Sequence, residues 1–216
     1  MLGWPHDQII PNNLPYTVLG AGVLWFRWFG FNAGSALSAG GLASSAFAAT
    51  HIAAATATVT WALAEYLQHG KASVLGAASG SVAGLVAITP AAGYVGPMSA
   101  LLIGGIAGVL CYFAVSIKFA FRYDDALDVV GVHGVGGTWG AVATGLFAST
   151  AVNSAGADGL FFGNPRQVVI QLVGVLATVV YSFALTYALL RLVDATLRVA
   201  RVRGGRGHGA RPVTTR

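Results

Sequence analysis

Two histidines, His51 and His133, lie inside long runs of sequence that carry no charge. A neutral imidazole donates a hydrogen bond from one nitrogen and accepts one at the other, and it protonates near neutral pH. In apolar surroundings such a ring can line a path for a small polar molecule or pass a proton. His133 stands in the run DVVGVHGVGGTWG, residues 128–140, with Gly136, Gly137 and Gly140 three, four and seven positions further on. On a helix its face is therefore small and open to close approach. About seven residues into a spanning helix, it would lie roughly 10 Å deep in a ~30 Å apolar layer. The alternative is a histidine that only packs helices, bonded to a backbone carbonyl. His51 is followed by Ala and Thr and suits helix packing better. Trp28, Phe31 and Ser35 fall at i, i+3 and i+7, on one helix face. Aromatic faces attract a cation, and a hydroxyl oxygen can accept a hydrogen bond from it. The same aromatics also fit an ordinary membrane-interface belt. Arg27 stands one turn from Phe31, where a guanidinium must snorkel or pair.

The rest of the chain says what must position these residues. Of 216 residues only 9% are charged and 56% are hydrophobic, and mean hydropathy is +0.71. A soluble domain carries about 25% charge, so this composition belongs to a multi-pass membrane protein. The net charge of +5 is local. Residues 1–190 hold five Lys and Arg against six Asp and Glu, while 191–216 hold seven Arg and one Asp. A basic tail with no basic fold surface behind it argues against nucleic-acid binding. The lone Cys111 excludes a disulfide framework. No cofactor or metal motif is present.

A span needs about 20 apolar residues, and the charge-free gaps accommodate six: about 14–33, 43–67, 74–92, 97–118, 126–149 and 167–192. The turn between the third and fourth reads TPAAGYVGP, residues 89–97. None of the runs alternates as a barrel wall would. The expected fold is therefore an all-α integral membrane protein with six transmembrane helices. An even count places both termini on one side. Lys71, Lys118, Arg122 and the Arg-rich tail 200–216 fall on that side, which the positive-inside rule makes cytoplasmic. Glycines four apart, at 76/80/84, 104/108, 136/140 and 30/34, predict close helix contacts.

Four stretches together resemble the ammonium transporter family (Amt/Mep/Rh), its bacterial Amt branch in particular. They are Asn13-Leu14-Pro15, the run WFGFNAGSA at 28–36, TPAAGY at 89–94, and DDALDVVGVHG at 124–134. The likeness runs from about residue 3 to residue 199 and corresponds to the last six of the family's eleven spans. The resemblance implies channel-like passage of ammonium or ammonia across the cell (inner) membrane by a homotrimer with a pore in each subunit. It implies that Phe31 is an aromatic gate ring, that Ser35 is the recruiting serine and that His133 is the second pore histidine, while Trp28 joins these candidate pore residues through the face it shares with Phe31 and the family's recruiting tryptophan has no counterpart here. It gives Asp128 a structural role near that histidine. The family also meets PII-type signalling proteins through an acidic cytoplasmic tail, a pattern from which the Arg/Gly-rich 200–216 departs.

Nothing in the sequence matches the family's first five spans, so the chain reads as an incomplete transporter, expected to conduct poorly by itself. Two other readings stand beside it. One is a membrane redox protein with His51 and His133 as axial ligands of a haem. The other is a non-conducting transporter fragment.

Overall fold

The computed structural model describes residues 11–121, 123 and 125–197. Every regular element among them is helical: α1 (Leu14–Asn32), α2 (Gly41–His69), α3 (Val74–Ile88), α4 (Pro97–Phe121), α5 (Gly136–Phe147) and α6 (Arg166–Leu197). A π-helical turn, Val130–Val135, leads into α5, and short 3-10 turns lie at Gly34–Ala36 and Leu160–Phe162. The Arg-rich segment 200–216 lies outside the described residues.

Local chemistry sets the helix ends. Asn13 caps α1, its side chain accepting from Tyr16 N at 3.1 Å, with a proline in the first turn where a missing N–H costs nothing. Gly70, at φ +72, closes α2 with its N–H on Tyr66 O. Ser73 caps α3 through Gly76 N and donates its hydroxyl to Glu65 of α2 at 2.8 Å, which ties the α2–α3 turn. Pro90 has no N–H to continue a helix.

α2, α4 and α6 run a few residues past the expected ends, to His69, Phe121 and Leu197, and two other helix ends differ in kind from the sequence expectation. The third span, taken to 92, is helical only to Ile88, and Thr89–Tyr94 forms a turn. The turn is buried rather than looped out: Ala91, Ala92 and Val95 belong to the core beside α2 and α4. The fifth span, taken from 126, becomes helical only beyond Asp128, whose backbone is left-handed at φ +56. Gly41–His69, Pro97–Phe121 and Arg166–Thr196 are each long and apolar enough to cross a membrane, while α3, at 15 residues, is shorter.

Packing centres on α2. A methyl group at Gly80 or Gly84 of α3, or at Gly104 or Gly108 of α4, would come under 3.0 Å from α2 atoms of Ala53, Ala54, Ala57, Thr60 or Trp61. Backbones touch there, as small residues permit in membranes. Gly140 of α5 meets the Ala87 backbone of α3 equally closely. Gly30 and Gly34 do not pack in this way, since nothing lies within 4 Å of the Cβ position at either. Among the described elements α6 meets only α5 and the Leu160–Phe162 turn, and none of its described side chains is buried.

Replacing Gly104 by Val forces α4 off α2, because the obstruction is backbone that cannot rotate away. Overpacking of this kind costs roughly 1–3 kcal/mol or more. At Gly105 the nearest atoms, from Thr56 and Thr60, sit at ordinary contact distance. Thermal unfolding of the purified protein should show a marked drop for Gly104→Val and none for Gly105→Ala.

Candidate functional site

One face of α1 organises the site. Thr17, Ala21, Leu24, Trp28 and Phe31 recur at alternating intervals of four and three, which keeps them in one stripe, and Ser35 follows just past the helix end in the 3-10 turn. A series of clefts follows the stripe. Near the start of α1, Tyr16 and Thr17 face Leu75, Ser79, Leu127 and Asp128. Further along, Thr17 and Ala21 share a cleft with Ser79, Val82, Val132 and His133. Leu24, Trp28 and Phe31 line an apolar cleft that also includes Arg27. At the far end Phe31, Asn32 and Ser35 face Thr89, Tyr94 and Asn153 across a cavity of about 270 Å³. The 19 residues of α1 span roughly 28 Å at 1.5 Å each, about the apolar thickness of a bilayer.

The Phe31 end is held by directed bonds. The Trp28 indole N–H donates to Thr89 Oγ1 at 2.7 Å, and the Thr89 hydroxyl donates to Leu85 O at 2.7 Å. With its N–H engaged, Trp28 stands edge-on to Phe31, centroids 6.0 Å apart at 74°. Ser35, in the 3-10 turn, donates its hydroxyl to Phe31 O at 2.6 Å, so its oxygen lone pairs remain to accept. The buried Asn32 donates to Thr50 Oγ1 at 3.0 Å, and Thr50 donates to Ala46 O. Ser149 N bonds Tyr94 O at 2.9 Å, and Gly156 lies against the Tyr94 ring, so the α5–α6 loop braces this wall. Two rings and a free acceptor oxygen beside a small cavity suit a compact cation. Arg27 is exposed and makes no ion pair among the described residues.

His133 sits toward the other end, on the π-helical turn. Its ring is exposed to two clefts: the one shared with Thr17 and Ala21, and a second of about 510 Å³ formed with Gln171, Gly174 and Thr178 of α6. It makes no hydrogen bond among the described residues, which leaves both nitrogens available. Asp128 pairs with the buried Lys118 of α4. His51 lies elsewhere, against Trp25 and Phe29 on another face of α1, with ring centroids 5.5 and 6.0 Å away. It lines neither His133 cleft, so the structure gives the haem reading no shared pocket.

Trp28 and Phe31 share a face of α1 as their spacing implied, while Ser35, expected on the same helix face, lies past the end of α1 in the 3-10 turn and meets Phe31 across the cavity there. The Asn32–Thr50 pair and Ser79 were not singled out in the sequence, and Thr89 and Lys118 entered only as a turn residue and as a cytoplasmic charge. The extension of the stripe through Thr17, Ala21 and Leu24 was legible from the same heptad spacing. The partners on α3 and α4 carry no local signal.

Six packed helices with a cleft running along one of them define a multi-pass α-helical membrane protein. Residues 4–205 match the model of the Ammonium Transporter Family, and the chain belongs to that family. It is 52% identical over 188 residues to an ammonium transporter of Bacillus subtilis, covering 87% of this chain and 46% of that protein. It is 53% identical over 199 residues to an ammonium transporter of Aquifex aeolicus, covering 91% and 47%. The crystal structure of Saccharomyces cerevisiae Mep2 superposes with a TM-score of 0.83 at 40% identity, covering 86% of this chain and 44% of that one. The chain spans about half the length of the curated relatives it matches.

Thr89→Val removes the acceptor of Trp28 and leaves a half-buried indole N–H unpaired, a loss of about 1–3 kcal/mol. Thr89→Ser keeps both bonds. Thermal unfolding should rank wild type and Thr89→Ser together, with Thr89→Val below them.

Proposed function

We propose that this protein carries ammonium, as neutral ammonia through its apolar section, across the cell (inner) membrane. The observation that carries the reading is the α1 stripe, with Trp28, Phe31 and Ser35 at one end and His133 toward the other. A bare cation pays heavily to leave water. At the Phe31 end the aromatic rings and the Ser35 oxygen hold the cation while it is partly hydrated. Near this mouth it hands its proton to a water molecule, and the proton returns to the bulk water on that side. The neutral molecule then passes Leu24 and Ala21, where there is nothing to bind an ion. His133 offers it a donor or an acceptor, as its tautomer allows. Apart from that proton transfer to water, the process is transport.

The same reading makes the assembly a homotrimer with one path per subunit and places both termini in the cytoplasm. The Arg/Gly-rich 200–216 differs from the acidic tail through which the family meets PII-type regulators, so the reading assigns no such partner.

The α1 stripe is open on one side, with Phe31 61% and Leu24 41% exposed. Passage therefore needs that side closed, and the family's first five spans are the natural cover. In a transporter-deficient host on limiting ammonium, co-expression with those spans from a bacterial relative should restore growth, and the chain alone should restore little. Ser35→Leu removes a hydrogen bond to a cation, worth about 1.5–3 kcal/mol, so uptake should fall about tenfold or more. Growth indifferent to Ser35 and His133 would overturn the reading. Topology is checked separately in a Cys111→Ser background: Ser154→Cys should react with an impermeant maleimide on intact cells, and Lys71→Cys only after permeabilisation.

A further inference from the structure

His133 is carried on a π-helical turn, and such turns persist only where their surroundings hold them. One face of α4 does the holding. Cys111, Val115 and Lys118 are four and three residues apart and share that face. The Cys111 thiol points at Val132 O, 3.9 Å away. A methyl group at Gly131 would come under 3.0 Å from the Val115 backbone. Lys118, only 7% exposed, donates to Asp125 O at 3.1 Å and pairs with the Asp128 carboxylate. The Asp125 carboxylate in turn accepts from Val129 N at 2.9 Å and Val130 N at 2.8 Å, at the start of the turn. Asp128 holds a left-handed φ of +56, unusual for a residue with a side chain, and its carbonyl accepts from Val132 N at 2.8 Å.

We propose that Lys118 is the positioning residue for His133: by gripping Asp125 and Asp128 together it keeps the π-helical turn in register and aims the imidazole into the cleft beside α1. The logic is geometric. Asp128 has a strained backbone that needs an anchor, and the Lys118 ammonium supplies one at its carboxylate and another at the preceding turn. Without the anchor the turn relaxes to ordinary α-helical register. A slip of one residue rotates every side chain on it by about 100°. His133, five residues beyond Asp128, then leaves the cleft although its own contacts were never touched. Lys118 itself meets no transported molecule. It acts through the turn.

The proposal rests on reading His133 as a path-lining residue, but its first test does not depend on transport. The full chain is labelled with 15N-histidine in nanodiscs, and the His133 ring signals are assigned by their loss in His133→Gln. Lys118→Met should move these signals, and Lys118→Arg, which can still donate to both acceptors, should leave them near wild type. Asp128→Gly accepts the left-handed φ without strain yet removes the gripped carboxylate, and should move them as Lys118→Met does. In the co-expression transport assay Lys118→Met should lower maximal uptake about tenfold or more. Half-saturating ammonium should stay unchanged, because Phe31 and Ser35 lie at the far end of α1. Folded Lys118→Met or Asp128→Gly protein with wild-type His133 signals overturns the proposal, whatever its uptake. Failure of both variants to fold also overturns it, since the tie would then serve stability rather than register. Moved signals in a protein that carries no ammonium would refute the transport reading and leave the positioning role standing.

Discussion

The contact on which the rest depends is the backbone-to-backbone packing of α2 against α3 and α4. Ala53 and Ala57 of α2 meet Gly84 of α3 and Gly104 and Gly108 of α4 together, with α3 and α4 also touching each other. In lipid there is no hydrophobic gain from bringing two apolar helices together, so close dispersion contact must hold them. A helix pair can approach this closely only where neither partner has bulk. The Gly and Ala residues that look uninformative in composition are therefore the structural framework. They put α3 and α4 at a set distance, and both helices then serve as templates for what carries the chemistry.

Polar bonds attach the site to that framework. α1 has a mostly exposed surface and few buried residues. It is fixed by Trp28 to Thr89 of the α3 end and by Asn32 to Thr50 of α2. Both bonds lie where water is scarce, so each leaves a costly unpaired group if broken. They act at the same end of α1 as Phe31 and Ser35, so this aromatic end inherits the rigidity of the core. The other end is held differently, by charge: Lys118, Asp125 and Asp128 form a compact polar knot at the base of the π-helical turn. One end of the cleft is thus fixed by neutral hydrogen bonds and the other by an ion pair.

α6 contrasts with everything else. It is an apolar helix of 32 residues that, among the described elements, touches only α5 and a short turn. A methyl group at Gly145 of α5 would come under 3.0 Å from the α6 backbone at Val168, near the start of α6, and every described α6 side chain beyond Val175 is exposed. Gln171, Gly174 and Thr178 form the polar edge that α6 turns toward His133.

The sequence by itself determined the membrane class, the six helices and the sharing of one face by Trp28 and Phe31. These follow from hydropathy over about 20 residues and from helical periodicity, both of which are local properties of the chain. It also determined most of the glycine contacts, although the Gly30/Gly34 pair shows that spacing alone does not tell a packed glycine from an open one. Only the tertiary structure decided that Thr89 holds Trp28 across 61 positions of sequence, that Lys118 grips Asp128, and that His51 and His133 occupy separate surroundings. It alone decided that the fifth span begins as a π-helical turn after a left-handed Asp128. The propensity of DVVGVH does not call for that geometry. The neighbouring α4 imposes it, through contacts between residues far apart in the chain, which no local pattern encodes.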